Sequence, residues 1–269
     1  EGDQILKLLK IFQEKLKINF KVYLCYDNTD DNVFDYKEEF SKFNYPIILT
    51  KNISTGPCLA VVTGLKQSNS NCKIVYPADD FLNIELIQTM YQMFLKEDAD
   101  IVVASRFTKG GSMKGCPILK SVLVRTASST LYYLSSIPVR DASNGFRLFS
   151  SRLLEKVEIE SKLGFAYSLE LLVKCHRMKM IIKEVPAKWE ERSVGESNFK
   201  IFKWIKEYLK WYIYGMQTFW LQKKYPIINA SLYSIFEIFV KGKTSKRKGK
   251  VNLELIKDKK FIVEELNNI

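Results

Sequence analysis

The chain is poor in residues that would tie it down covalently or through a metal. Of its 269 residues, five are cysteine and one is histidine. Cys25, Cys58, Cys72, Cys116 and Cys175 are scattered, odd in number and never form a CxxC pair. That excludes a disulfide framework and a structural zinc site. Their apolar neighbours suggest small core residues in a reducing compartment. His176 follows Cys175 directly, and adjacent residues on a helix point in different directions, so His–Cys catalysis is not expected. Long hydrophobic runs are lacking as well. The nearest candidate, Trp211 to Val240, is broken by Lys223, Lys224 and Pro226, so no ordinary transmembrane helix is expected. The first residues, Glu1-Gly2-Asp3, lead into a helical pattern and not into a secretory signal. Acid is scarce beside base, with 30 Asp+Glu against 42 Lys+Arg and a net charge of +12. Such an excess has three readings: nucleic acid, an anionic membrane surface, or a phosphate-rich substrate.

With 46% hydrophobic residues the chain is expected to fold. Asp3 is a plausible N-cap for a helix carrying Ile5, Leu8, Leu9, Phe12 and Leu16 at helical spacing. Strands are expected at Lys21–Tyr26, Pro46–Thr50, Cys72–Pro77, Asp100–Ser105, Phe146–Phe149 and Ile181–Val185. Helices are expected at Gly56–Gln67, Ile84–Phe94, Leu119–Ser135 and Ser168–Met178. The strand segments are continuously apolar rather than alternating. This implies a buried, mostly parallel sheet with helices on both faces. Ligands bind such sheets outside the carboxyl ends of the strands, where Asp27, Asp79 and Arg106 each follow a strand.

The last third differs. Phe199–Tyr225 holds ten aromatics and six lysines. At 100° per residue, Lys200, Lys203, Lys206, Glu207 and Lys210 share one arc. Ile201, Trp204, Ile205, Tyr208, Leu209, Trp211 and Tyr212 share the other. Such a helix suits the interfacial plane of a membrane, or it packs on the domain with its lysines solvated. Lys241–Lys250 adds six basic residues and no acid, and reads as a tail attracted to anionic lipid. The expected division is therefore 1–198 as a catalytic domain, 199–240 as aromatic-rich interfacial helices and 241–269 as a basic tail.

Six short motifs recur in a telling order: Tyr26-Asp27-Asn28-Thr29-Asp30-Asp31, Pro77-Ala78-Asp79-Asp80, Ala104-Ser105-Arg106-Phe107-Thr108-Lys109-Gly110-Gly111, Asp141-Ala142-Ser143-Asn144-Gly145-Phe146-Arg147, Glu184-Val185-Pro186 and Arg192-Ser193-Val194-Gly195-Glu196-Ser197. Over residues 1–215 the chain resembles glycosyltransferase family 2, in the branch similar to dolichyl- or polyprenyl-phosphate sugar synthases. The resemblance implies an α/β A-type glycosyltransferase fold. It also implies transfer of a sugar from a nucleotide-diphosphate sugar to a polyprenyl (lipid) phosphate, with inversion at the anomeric carbon. The enzyme would be cytoplasmic and peripheral on the inner face of a membrane, with no nucleic-acid partner. Glu1 resembles the last residue of a Tyr-Asn-Glu motif, so the chain is expected to be a piece lacking the first strand of its sheet.

The resemblance distributes roles. Glu1, Asp27, Asp79, Arg192 and Ser197 would bind the nucleotide sugar, with an Asx turn as the other reading of Asp27. Asp79 would be the first ligand of a Mg²⁺ or Mn²⁺ ion, or else a helix N-cap, because Pro77 replaces the first acid of the usual Asp-Ala-Asp signature. Arg106, Arg125 and Arg147 would hold the acceptor phosphate through guanidinium forks, surface ion pairing being the bland alternative. Arg106, Arg125 and Asp141 are the catalytic candidates, Asp141 lining the acceptor site or orienting its own turn. Gly110-Gly111 and Gly195 would be hinges of covering loops. A lipid phosphate is already an anionic nucleophile, whereas an alcohol acceptor would need a carboxylate base, for which Asp141 and Glu170 are the candidates. The rival readings are a saccharide or other cell-envelope acceptor, and a transferase-like binding module that no longer catalyses.

Overall fold

The structure, a computed structural model, describes residues 2–190 and 201–224. In chain order the elements are α1 (Gly2–Lys15), β1 (Val22–Tyr26), a short 3-10 helix (Asn32–Tyr36), α2 (Lys37–Phe40), β2 (Ile47–Lys51), α3 (Pro57–Gln67), β3 (Cys72–Val75), α4 (Leu86–Glu97), β4 (Ile101–Ser105), β5 (Ser112–Lys114), α5 (Ile118–Ser135), β6 (Arg147–Ser150), α6 (Ser151–Lys156), α7 (Ala166–Arg177), β7 (Ile182–Pro186), β8 (Lys188–Glu190) and α8 (Ile201–Lys224). Every expected strand and helix has a counterpart among these. Asp3 already lies inside α1 rather than ahead of it.

The central sheet runs β3-β6-β4-β7. Strand β4 is parallel to β7, while β6 is antiparallel to both β3 and β4. The sheet is mostly parallel, as expected, with β6 the one reversed strand among β3, β6, β4 and β7. Arg147–Ser150 is buried along its whole length, and burial on both faces leaves no mark of a strand's direction. Strands β1 and β2 form a separate parallel pair, as do β5 and β8.

Alternating residues of β4 feed two cores. Ile101 and Val103 pack with α5, α7 and Trp211, while Val102 and Ala104 pack with α1, α4 and Phe146. Among the described residues β1 and β3 each keep one edge without a strand partner. Phe20 and Lys21, just ahead of β1, and Ser70, just ahead of β3, line one cavity of about 580 Å³.

Helix α8 belongs to the same compact unit as the sheet. The expected boundary at 198 and residues 225–269, with the basic tail, lie outside the described residues, and α8 takes the packed alternative of the two readings given for it. Trp211 is wholly buried, and its indole N–H donates to Ser161 Oγ at 2.8 Å. Tyr208, Tyr212, Tyr214 and Met216 pack on the core formed with α5 and α7. The aromatic stripe is a packing face.

The five cysteines are free thiols. Burial pushes Cys58 up to about 11 and Cys72 up to about 12, and it raises Cys25 and Cys175 as well, so these four stay protonated. The ring of His176 lies against the Ser135 carbonyl (Nε2 to O, 3.1 Å), and burial lowers its pKa, which keeps it neutral.

Candidate active site

Arg106 follows the carboxyl end of β4, and a turn 35 residues later holds it. Its Nε donates to Asp141 Oδ2 at 2.7 Å and its Nη2 to Asp141 Oδ1 at 3.0 Å. Nη2 also donates to Ser143 Oγ at 2.7 Å, and the Arg106 backbone N–H donates to Asp141 Oδ2 at 3.0 Å. Asp141 is wholly buried and the Arg106 side chain is 11% exposed. Burial alone would raise the Asp141 pKa. The charge and hydrogen bonds of Arg106 outweigh it and hold the carboxyl below the usual carboxylate range. A planar guanidinium bound on its Nε/Nη2 edge is fixed in direction, and these bonds leave the Nη1 amino group to meet a ligand.

The turn itself is braced from behind. Asn144 Nδ2 donates to the Ala104 carbonyl at 2.6 Å and its Oδ1 accepts from Phe146 N at 3.1 Å. Arg147 donates to the carbonyls of Asn144, Ala142 and Ser168. Arg147 is wholly buried, and burial pushes its pKa down to about 10, which leaves it charged. Its assignment to the acceptor phosphate is thus corrected: its donors are spent on carbonyls, and no solvent-borne ligand reaches it.

Arg125, on α5, is exposed. Its guanidinium carbon lies 4.6 Å from the centre of the Phe107 ring, and that of Arg106 lies 5.2 Å from the same centre. One aromatic ring thus gathers the two arginines, and its face attracts both cations. Phe107 lies inside a quoted motif, but nothing in its spacing reveals that role. Ser143 is a second residue whose function is visible only in three dimensions.

The loop after Arg106 turns tightly. Gly110 has a φ of +93°, and a Cβ on Gly111 would stand 2.5 Å from the Ser105 carbonyl oxygen. These glycines are required by a close backbone approach, so the reading of them as hinges is corrected. Beyond them, Ser112 N donates to the Ala187 carbonyl and Ala187 N to the Ser105 carbonyl, which fastens β5 and β8 to the end of β4.

On the other side lie the acidic turns. Asp80 Oδ1 accepts from Leu82 N (2.9 Å) and Asn83 N (3.1 Å), and its Oδ2 accepts from Asn83 Nδ2 at 2.7 Å. Asp80 therefore shapes the turn ahead of α4; the cap position that the sequence offered to Asp79 is held by Glu85. Burial raises its pKa, the neutral amide donors offsetting part of the effect. Asn83 then pairs with the backbone of Lys188, tying this turn to β8. Asp27 Oδ1 accepts from Asn52 Nδ2 at 2.7 Å and Oδ2 from Gly56 N at 3.0 Å, so it holds the loop after β2. Among the described residues no cluster of three or more His, Cys, Asp or Glu side chains could enclose a metal. Asp79 is half-buried beside Asp80. A hard cation can be held by one carboxylate together with substrate phosphates, and Asp79 would be that carboxylate here.

Glu1, Arg192, Gly195 and Ser197 lie outside the described residues. Glu170 is corrected as a candidate base. Its carboxylate is wholly buried, accepts from the backbone N–H of Glu160 (2.7 Å) and Ser161 (2.8 Å), and pairs with Lys174 at 2.7 Å.

The combination of a strand-end carboxylate turn and a braced arginine after the next strand sits on an A-type glycosyltransferase fold. The same fold is found in a glucosyl-3-phosphoglycerate synthase from Mycobacterium tuberculosis, crystallised with Mn²⁺, uridine diphosphate and glucosyl-3-phosphoglycerate. That structure matches with a TM-score of 0.60 and 10% identity, over 81% of this chain and 76% of that one. Residues 1–158 match the model of glycosyl transferase family 2, and the chain belongs to that family. It is 26% identical over 228 residues to a dolichol-phosphate mannosyltransferase of Pyrococcus furiosus, covering 83% of this chain and 62% of the relative. It is 27% identical over 119 residues to a polyprenol monophosphomannose synthase of Mycolicibacterium smegmatis, covering 39% of this chain and 44% of the relative. The chain thus spans less than two thirds of the length of either relative.

Proposed function

We propose that this protein transfers a glycosyl group from a nucleoside-diphosphate sugar to a polyprenyl phosphate, with inversion at the anomeric carbon. The observation that carries the reading is the pair Arg106 and Arg125 on the Phe107 ring, with Arg106 fixed by Asp141. Guanidiniums arranged in this way suit the oxygens of a phosphate monoester. The names of the two relatives support the same acceptor class and make a mannosyl donor the first to test.

In the reaction an oxygen of the acceptor phosphate attacks the anomeric carbon. The bond from that carbon to the donor's diphosphate breaks, and the electron pair leaves with the nucleoside diphosphate. No proton has to be removed from an anionic nucleophile. The two carboxylates that could have served as a base agree with this, since Asp141 is spent on Arg106 and Glu170 on a backbone turn. The protein's work is alignment and charge stabilisation. Arg106 and Arg125 orient the attacking phosphate, while Asp27 and Asp79 face the donor from the ends of β1 and β3. A divalent cation, held by Asp79 and the donor's phosphates, would offset the charge of the departing diphosphate. Arg192 and Ser197 are assigned to the donor side, and Glu1 to the nucleotide. The protein works peripherally, on the cytoplasmic side of a membrane.

The test incubates the protein with a panel of nucleoside-diphosphate sugars and a short-chain polyprenyl phosphate, and reads the anomeric configuration of the product by NMR. Retained configuration rejects direct displacement. Transfer to a saccharide with none to the lipid phosphate replaces the acceptor. Pro77, standing where the first metal acid is usual, favours a second reading, a binding module without turnover. Donor binding by calorimetry with no product from any donor would select it.

A further inference from the structure

The two turns assigned to the substrates grow from strands that are not neighbours. Strand β3 leads to Asp79-Asp80 and β4 to Arg106, and β6 lies between them in the sheet. Past the strand ends the sheet ladder no longer sets their separation. One buried side chain spans the gap. Asn83, 5% exposed, spends its whole amide on it. Nδ2 donates to Asp80 Oδ2 and to the Lys188 carbonyl, both at 2.7 Å, and Oδ1 accepts from Lys188 N at 2.9 Å. A reversed amide would set Nδ2 against an N–H and Oδ1 against two acceptor oxygens, so its partners fix its orientation.

The reciprocal bonds with Lys188 have the donor and acceptor order of a strand ladder, so the amide stands in for a neighbouring strand at that point of β8. Ala187, the residue before, is tied toward the other turn. Its N–H donates to the Ser105 carbonyl at 2.8 Å, and its carbonyl accepts from Ser112 N at 3.0 Å. Ser105 precedes Arg106. A path of short hydrogen bonds and covalent backbone thus runs from Asp80 through Asn83, Lys188, Ala187 and Ser105 to Arg106. Both ends of it are stiff. Tyr76 Oη donates to the Asp80 carbonyl at 2.8 Å, and Asp80 Oδ1 accepts from Asn83 N at 3.1 Å. Arg106 is braced by Asp141.

We infer that Asn83 is a positioning residue that sets the gap between the turn of Asp79 and the guanidinium of Arg106. The inference rests on the proposed reaction and deepens it: that gap is the distance over which an acceptor phosphate reaches the donor's anomeric carbon. Each substrate needs only its own turn to bind, whereas transfer needs both turns at one separation. The rate is steep in that separation, and a misplacement of about 1 Å costs about a hundredfold. Loss of the bridge therefore falls on kcat and spares affinity.

The experiment compares Asn83→Ala, the exchanged pair Asp80→Asn/Asn83→Asp and Ser150→Ala in the full chain. The exchanged pair keeps a bond between positions 80 and 83 and the bond from Lys188 N, and gives up the one to the Lys188 carbonyl. Ser150 bonds Asp100 and caps α6 at the opposite end of β4, so its variant is the control for lost stability. With the donor and acceptor that the wild type uses, Asn83→Ala should lower kcat about tenfold or more, with donor Kd and acceptor KM within about twofold. The exchanged pair should regain about threefold of that loss, as one restored hydrogen bond does. Ser150→Ala should melt earlier with kcat unchanged. Unchanged kcat in folded Asn83→Ala overturns the inference, and so does an equal loss of kcat in Ser150→Ala. A donor Kd weakened by the factor that kcat/KM loses also overturns it, by making Asn83 part of the donor turn alone. Amide hydrogen exchange, which needs no turnover, should quicken about tenfold in Asn83→Ala at Lys188, Ala187 and Arg106. Quickening confined to Lys188 and position 83 overturns the bridge. Failed transfer by the wild type with every donor would reject the proposed reaction, and hydrogen exchange would then decide the bridge by itself.

Discussion

Two aspartates of this site do the same mechanical work and are pushed in opposite directions. Asp80, after β3, and Asp141, ahead of β6, each spend both carboxylate oxygens on shaping a turn. The donors around Asp80 are neutral amides, and burial raises its pKa. Asp141 is more deeply buried, yet its pKa falls, because a guanidinium bonds it along one edge. The turn after β3 is thus held by local bonds, while the arginine after β4 is held by an ion pair between residues far apart in sequence. Neutral donors offset only part of the cost of burying the Asp80 charge, whereas at Asp141 the guanidinium tips the balance the other way.

The sharpest break of that contrast is Asp141→Asn. It leaves Arg106 without its counter-charge, and removing one partner of a buried pair costs about 3–5 kcal/mol. Chemical denaturation should show that loss, and acceptor turnover should fall with it. Asp80→Asn keeps two of the three accepted bonds within reach and should cost about 1 kcal/mol in the same measurement. Next comes Arg147→Lys. It strands carbonyls of Ala142, Asn144 and Ser168 and should cost about 2–3 kcal/mol, with the KM for acceptor unchanged in the protein that remains folded. Arg125→Ala should do the reverse. Stability should stay within about 0.5 kcal/mol, as for an exposed residue, while the acceptor KM rises about tenfold and donor affinity is unmoved. A raised donor KD would place Arg125 on the wrong side of the site.

The smallest effect is the pH dependence, and its sign differs between the two aspartates. Asp141, with a depressed folded pKa, contributes stability above the ordinary carboxylate value of about 3.9 and loses it as pH falls through the folded value. Asp80, with a raised folded pKa, behaves oppositely: its contribution is present below the ordinary value and is lost as pH rises through the folded one. Stability curves between about pH 3 and 6 should therefore lose part of their acid slope in Asp141→Asn and steepen in Asp80→Asn.

Much of this was legible before the structure. Continuous apolar runs marked the six main strands, and helical spacing marked α3, α4, α5 and α7, because burial on two faces or one leaves those periods in the residues. Direction is not part of that code, hence β6. Periodicity also records that one face of α8 is apolar without recording what covers it, so Trp211 reads the same in a bilayer and in a core. The arginines make the same point chemically. Arg106 and Arg147 stand in motifs and Arg125 on the helix after the first of them, yet one is braced, one buried and one exposed. Those fates depend on Asp141, Phe107 and Ser168, none of which neighbours its partner closely enough to be paired by spacing alone, save Phe107 beside Arg106.

The ring of Phe107 holds two guanidiniums within about 10 Å of each other, and this bears on how a turnover ends. Two like charges set so close gain most from a ligand of charge near −2, the state a phosphate monoester approaches at neutral pH. Glycosylation turns that monoester into a diester carrying a single negative charge. In the proposed reaction the grip of the pair would loosen as the bond is made, and the product would leave a site that still prefers the next acceptor.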